Sequence, residues 1–207
     1  MTPSLKVVVA ITSSIAFQEL KNQSILQTCL ENVREFLAQY GSTAHLAVAG
    51  TKKSLAQLLD VDCEKIQCDP NSAKEFAQSL RSAQPAELVM IHDSLRALTT
   101  VTQFNRVLQA VIPNIDAVRP VSAFTETLKS ISADQYIVAT IDRNSMMRVS
   151  TPELIRFSAI DFQGTSSTWF VPIKTDAKIC TVDADPESAR INSENEINLM
   201  KHLLNGN

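Results

Sequence analysis

The feature that most limits how this chain can fold is an alternation. Short apolar runs of strand length, at residues 7–11, 44–49, 65–68, 88–91 and 117–121, are separated by stretches whose apolar residues recur at helical spacing. The clearest of these stretches carries Ile25, Leu26, Leu30, Val33, Phe36 and Leu37, with Gly41 following as a stop signal. Shorter helices are expected over 55–59, 73–80 and 104–111. Continuous apolar runs suit strands buried on both faces, and helices between them supply the crossovers that parallel strands need. The pattern predicts an α/β fold with a doubly wound, mainly parallel sheet. With 207 residues, no Pro/Gly/Ser-rich linker, no internal repeat and no low-complexity segment, one domain over 1–207 is expected.

The rhythm breaks after residue 120. Two β-rich runs, 128–131 and 136–141, are joined by the polar residues 132–135. This reads as a β-hairpin inserted into the α/β pattern, an arm at about 121–142. Thr151-Pro152 then reads as a helix opening, with Pro in the first turn. Strand-like runs at 168–173 and 178–182 follow, and 194–204 closes the pattern as an amphipathic helix.

Composition removes several function classes. The formal net charge is −3, and the charged residues, 20% of the chain, are mixed in sign throughout. A non-specific nucleic-acid binder needs a basic face, so no nucleic acid is expected as a partner. No apolar run approaches the roughly 18 residues that span a membrane. The opening MTPSLKVVVAITSS reads as a first strand and not as a secretory signal, which points to the cytoplasm. Cys29, Cys63, Cys68 and Cys180 form no C-x-x-C pair and read as free, buried thiols, while His45, His92 and His202 are scattered. The G-x-G-x-x-G fingerprint of nicotinamide enzymes is absent after the first strand.

The stretch ELVMIHDSLRALTT, residues 87–100, carries the chemistry. An apolar strand ends on His92 and Asp93, with Arg96 three residues later. In parallel sheets, ligands bind in the crevice outside the carboxyl ends of the strands, where Asp93 and Arg96 can face one. Asp93 can equally cap the helix that follows.

Several stretches together resemble one family, the cytidylyltransferases acting on 2-C-methyl-D-erythritol 4-phosphate. VMIHDSLRA resembles the family's strand ending in H-D-x-x-R-P. AFTETLKS resembles its V-x-D-T-x-K arm, and TIDRNSMMRVSTPELI its T-x-D-R-x-x-L-x-x-x-Q-T-P-Q segment. FQELKNQSILQTCL parallels the Leu-rich helix after the family's nucleotide loop. The resemblance implies a fold of the nucleotide-diphospho-sugar transferase type. It implies transfer of CMP from CTP to a sugar-alcohol phosphate with Mg²⁺ present, and a homodimer through the β-arm. Carried over, Asp93 and Arg96 are catalytic residues beside the polyol phosphate, Asp93 also being the candidate metal ligand. Thr127 and Arg143 lie on the arm, which in the family completes the neighbour's pocket. Thr151 sits near the substrate, and Arg190 stands where the family has a Lys by the phosphate.

The departures gather on the nucleotide side. The family has a Gly-rich loop with an Arg and a Lys after its first strand, and glycine lets backbone amides approach phosphates closely. This chain has four glycines, the first being Gly41, and TSSIAFQELK follows the first strand with no Gly, no Arg and no Lys before Lys21. Ile15 falls near the family's Lys, and Ser13 and Ser14 remain as the candidate phosphate (cofactor-binding) residues. Lys74 and Glu75 align with a polar turn on the cytidine side, Ser166-Ser167 with a T-D pair, and Ala97 with the Pro after H-D-x-x-R. Two readings follow. One is a cytidylyltransferase whose activity is weak or lost. The other is a non-catalytic homologue that binds a ligand or lends its arm to an active paralogue.

Overall fold

The computed structural model describes residues 2–58, 61–164 and 170–205. Strand β1 (Leu5–Ala10) leads to helix α1 (Ile25–Tyr40), followed by β2 (Ala44–Gly50), α2 (Lys52–Leu55), β3 (Glu64–Gln67) and α3 (Ala73–Ser82). Next come β4 (Leu88–Asp93), α4 (Val101–Gln109) and β5 (Ala117–Ala123). The hairpin is β6 (Leu128–Ile131) and β7 (Ile137–Ile141), succeeded by β8 (Met147–Val149), β9 (Glu153–Arg156), β10 (Ile179–Asp183) and α5 (Glu194–Asn205). The main sheet runs β10-β5-β9-β4-β1-β2-β3, with β8 paired to β5, and the hairpin forms a sheet of its own. Strand β9 is antiparallel to both β4 and β5, and β8 is antiparallel to β5. The other pairings in the main sheet are parallel. This is the expected α/β architecture with an inserted hairpin.

All six residues of β1 are buried, because it lies mid-sheet with Val7 registered against Leu46 and Met90. Alternate strand residues face opposite layers. Val7, Val9, Met90, Val118 and Leu154 pack under α1 and α4, and Val8, Ala10, Val89, Ile91 and Ile155 under α3 and the chain around Val171. Helix α1 starts at a capping box between Ser24 and Gln27 and ends at Gly41, whose φ of 101° favours glycine. Its Phe36 stacks on Phe104 of α4 at 5.2 Å, tying the two helices together. The four cysteines are unpaired as expected, with Cys29 and Cys68 buried and Cys63 and Cys180 half-buried. Among the described residues no helix is long and apolar enough to cross a membrane.

Three elements differ from the sequence reading. Thr151-Pro152 does not open a helix: the peptide bond is cis, and the next residues form β9. Strands β4 and β5 do not pair with each other, and their facing backbone groups are satisfied by this strand between them. That tertiary requirement outweighs the local preference of Pro for a helix start. Helix α2 spans Lys52–Leu55, earlier than 55–59, because the Thr51 side chain accepts from the Ser54 amide; residue 59 lies outside the described residues. Helix α4 likewise begins at Val101, where the Thr100 hydroxyl accepts from the Gln103 amide at 3.2 Å. Of the run at 168–173, residues 168 and 169 lie outside the described residues, and Ile173 makes an isolated bridge to Ile160.

Candidate functional site

The carboxyl ends of the adjacent strands β1 and β4 build one corner of a crevice. Asp93 is the last residue of β4, and the chain turns there, with the Arg96 amide donating to the Asp93 carbonyl at 2.9 Å. The Leu95 amide donates to Asp93 Oδ1 at 3.1 Å, so the turn also fixes the carboxylate. Thr12, two residues beyond β1, donates its hydroxyl to the same Oδ1 at 3.0 Å. Arg190 approaches from the segment ahead of α5. Its Nε donates to Asp93 Oδ2 at 2.6 Å, and its Nη2 to Thr12 Oγ1 at 3.1 Å. Arg190 Nη1 donates to Asn192 Oδ1. Asp93 is 4% exposed and the Arg190 side chain 33%, so the cation is the part of the pair that reaches solvent.

Behind Asp93 runs a buried polar chain. The Asp93 amide donates to Thr151 Oγ1 at 3.2 Å, and this hydroxyl stands 3.0 Å from His92 Nδ1. His92 Nε2 lies 3.2 Å from the Arg96 carbonyl. One tautomer satisfies every group: Nε2–H donates to the carbonyl and Nδ1 accepts from Thr151. Burial pushes His92 down to about 4, so the ring is neutral near pH 7. Thr151 is fully buried, its hydroxyl committed to this chain.

A cleft of about 230 Å³ opens over the pair, lined by Thr12, Pro70, Asn71, Asp93, Phe170 and Arg190. Asn71 faces the Thr12 carbonyl, donating to it at 3.1 Å. Arg96 does not line the cleft. Its guanidinium turns inward, donating from Nη1 to the Ser188 carbonyl and, at 3.5 Å, from Nη2 to the Val149 carbonyl. Burial pulls its value below the ordinary guanidinium range, and the Asp93 carboxylate opposes that shift.

Several amides of the segment from β1 to α1 are bonded within it. Ser13 Oγ accepts from the Ile15 amide at 3.3 Å, and the Ser13 carbonyl from the Ala16 amide at 3.2 Å. The Gln18 amide bonds to the Ile15 carbonyl and the Leu20 amide to the Gln23 carbonyl, both at 2.9 Å. Ser14 is exposed at the start of a single 3-10 turn, Ser14–Phe17. Lys21, the first cation after β1, reaches the Leu204 carbonyl at 3.5 Å. Among the nucleotide-side positions, Glu75 Oε1 accepts from the Asp69 amide at 2.9 Å, and Ser166 and Ser167 lie outside the described residues.

The structure therefore brings Asp93, Arg190 and Thr12 together, with Arg96 and Thr151 behind them. Thr127 and Arg143 do not line this cleft. Thr127 is exposed at the base of the hairpin, and Arg143 donates to the Thr125 carbonyl in the connection between β5 and β6. Thr12 and Asn71 are contributors that sequence reasoning missed. The position of Thr12 just beyond a strand's carboxyl end was the available signal. Asp93 is the one carboxylate among the lining residues, and both its oxygens are taken. No group of three or more His, Cys, Asp or Glu suited to a metal occurs among the described residues. Asp93 is the lining carboxylate that would hold a Mg²⁺, an ion commonly bound by one or two carboxylates together with substrate phosphate oxygens.

Residues 10–168 match the model of the 2-C-methyl-D-erythritol 4-phosphate cytidylyltransferase family. The chain is 40% identical over 78 residues to the protein of that name from Corynebacterium glutamicum, covering 37% of this chain and 30% of that protein. It is 26% identical over 138 residues to the one from Saccharopolyspora erythraea, covering 62% and 60%. The chain thus matches less than two thirds of the length of these relatives. Among solved structures, 4-diphosphocytidyl-2C-methyl-D-erythritol synthase from Anaerococcus prevotii superposes with a TM-score of 0.75 at 17% identity, covering 99% of this chain and 100% of that one. The Thermus thermophilus 2-C-methyl-D-erythritol 4-phosphate cytidylyltransferase gives 0.72 at 16% identity, covering 96% and 98%. These superpositions speak for the fold.

Proposed function

Because the chain belongs to the 2-C-methyl-D-erythritol 4-phosphate cytidylyltransferase family, we propose that it is a divergent member keeping the polyol-phosphate half of the site and lacking the triphosphate half. In this reading a phosphorylated sugar alcohol enters the Asp93 cleft. Its hydroxyls donate to the Asp93 carboxylate, and its phosphate draws Arg190 away from Asp93. CMP transfer from CTP is then weak or absent. The observation that carries this is the make-up and local hydrogen bonding of the β1–α1 segment. The amides of Ile15, Ala16, Gln18 and Leu20 are bonded within it, and it holds no Gly and no cation before Lys21. Ser13 and Ser14 are the residual candidates for a phosphate contact, and the Ser13 hydroxyl already caps the 3-10 turn.

Phosphoryl-type transfer depends on positioning and on neutralising phosphate charge, and one missing donor costs about 10²–10³ in rate. A missing loop, Arg and Lys together bring the reaction near background. Pyrophosphate release from CTP and 2-C-methyl-D-erythritol 4-phosphate in Mg²⁺ tests this. The expected result is no release above the enzyme-free rate at micromolar protein; steady turnover contradicts it.

A second reading rests on the arm. Ile131, Tyr136, Ile137 and Val138 are between 64% and 73% exposed, an apolar surface that a lone chain leaves in water. A second subunit covering this surface would receive Thr127 and Arg143 at its own cleft. That subunit is a second copy of this chain or an active paralogue. Co-purification of such a paralogue, lost on deleting residues 121–142, supports the latter.

A further inference from the structure

Arg96 is 7% exposed and, among the described residues, makes no ion pair. A buried guanidinium without a direct ion pair is costly, so what it holds is informative. It holds backbone. Nη1 donates to the carbonyl of Ser188, a residue 1% exposed and two positions before Arg190. One residue after Arg190, the Ile191 amide donates to the Leu95 carbonyl at 2.9 Å. The chain on both sides of Arg190 is therefore clamped to one corner, Leu95 and Arg96. The same corner fixes Asp93, through the Leu95 amide on Oδ1 and the Arg96 amide on the Asp93 carbonyl. The two halves of the Asp93–Arg190 pair, 97 residues apart in sequence, are thus referred to one turn of chain.

We infer that Arg96 is a positioning residue that holds the backbone carrying Arg190 and so sets Arg190 against Asp93, without touching ligand. The inference rests on the reading of Asp93 and Arg190 as the ligand-facing pair. It differs from the role that the H-D-x-x-R motif suggests, in which this arginine meets the substrate directly. The second guanidinium contact, to the Val149 carbonyl, extends the clamp to the end of β8, the strand by which the arm returns to the sheet. Lysine cannot reproduce it, because a single ammonium lacks the planar fork that spans two carbonyls.

The test uses the full chain without ligand. In ¹H–¹⁵N spectra the Arg190 Nε–H, donated to Asp93, gives a protected side-chain signal. In Arg96→Lys this proton is expected to exchange with water about tenfold faster, the equivalent of weakening one charge-assisted bond. The amides of β1 and β4 are expected to keep their protection. Arg96→Met, which retains the buried stem and drops the charge, is expected to give the same local loss. An unchanged Arg190 Nε–H in either folded variant overturns the inference. So does global unfolding of both variants, which makes Arg96 a stability residue. The readout needs no ligand, so it can fail while the polyol-phosphate reading stands, and the reverse.

Discussion

At the residue scale the site turns on a few buried polar atoms whose partners are specific. His92 is neutral because burial disfavours the imidazolium, and its two nitrogens are satisfied by Thr151 and the Arg96 carbonyl. In the unfolded chain the same ring titrates near its ordinary 6.5. As the pH falls through that value the unfolded state takes up a proton, and the folded state does so only near 4. The stability held by the neutral ring is therefore complete above about 6.5 and declines from there towards 4. Urea denaturation at pH 5 is expected to give about 2 kcal/mol less stability from this group than at pH 7. The difference should shrink in His92→Gln; an equal pH dependence in both proteins would remove His92 as the cause. Asp93 was visible in the sequence because a strand-terminal carboxylate breaks an apolar run. Arg190 came through the resemblance. Thr12 had only its place beyond the end of β1 to mark it, and Asn71 was not visible, since a single polar residue in a loop carries no period and its neighbours are decided by chain far away.

At the element scale the parallel strands were legible because a strand covered on both faces must be apolar throughout, and few other structures ask for that. Strand β9 was not legible. Its Thr-Pro start imitates a helix opening, and only the gap between β4 and β5 shows why a strand belongs there. This strand also brings Glu153 fully inside, where its Oε1 accepts from Arg119 Nε on β5. Burial raises Glu153 above the usual carboxylate range, and Arg119 opposes that shift. The pair is poorly completed, with Glu153 Oε2 and Arg119 Nη2 buried and without partners in hydrogen bonding. Removing one partner strands the other, so Arg119→Ala is expected to cost about 3 kcal/mol in denaturation midpoint analysis. Replacing both, Arg119→Met with Glu153→Met, should recover most of that loss. If the double variant is no more stable than Arg119→Ala, the pair is not what sets the cost.

At the scale of the whole molecule, the chain carries a well-packed α/β body and a hairpin that, among the described residues, has no sheet partner beyond its two strands. The apolar residues on that hairpin are what a subunit contact needs, and the arm's candidate site residues, Thr127 and Arg143, stand away from the cleft of their own chain. Sedimentation is expected to find a dimer that becomes a monomer when residues 128–141 are replaced by a short Gly/Ser turn. A full-length chain that sediments as a monomer would remove the arm's role in assembly. The proposed division of the site into a kept half and a lost half rests on two features: a paired Asp93 and Arg190 over a small cleft, and a β1–α1 segment in which the amides of Ile15, Ala16, Gln18 and Leu20 are bonded within the segment. Calorimetric titration with CTP in Mg²⁺, set beside titration with 2-C-methyl-D-erythritol 4-phosphate, tests that division most directly. The polyol phosphate is expected to bind with a Kd tighter than about 1 mM, worth roughly 4 kcal/mol, and CTP to give no heat of binding. CTP binding tighter than about 1 mM would mean that the segment after β1 still forms a phosphate site, and would contradict the account.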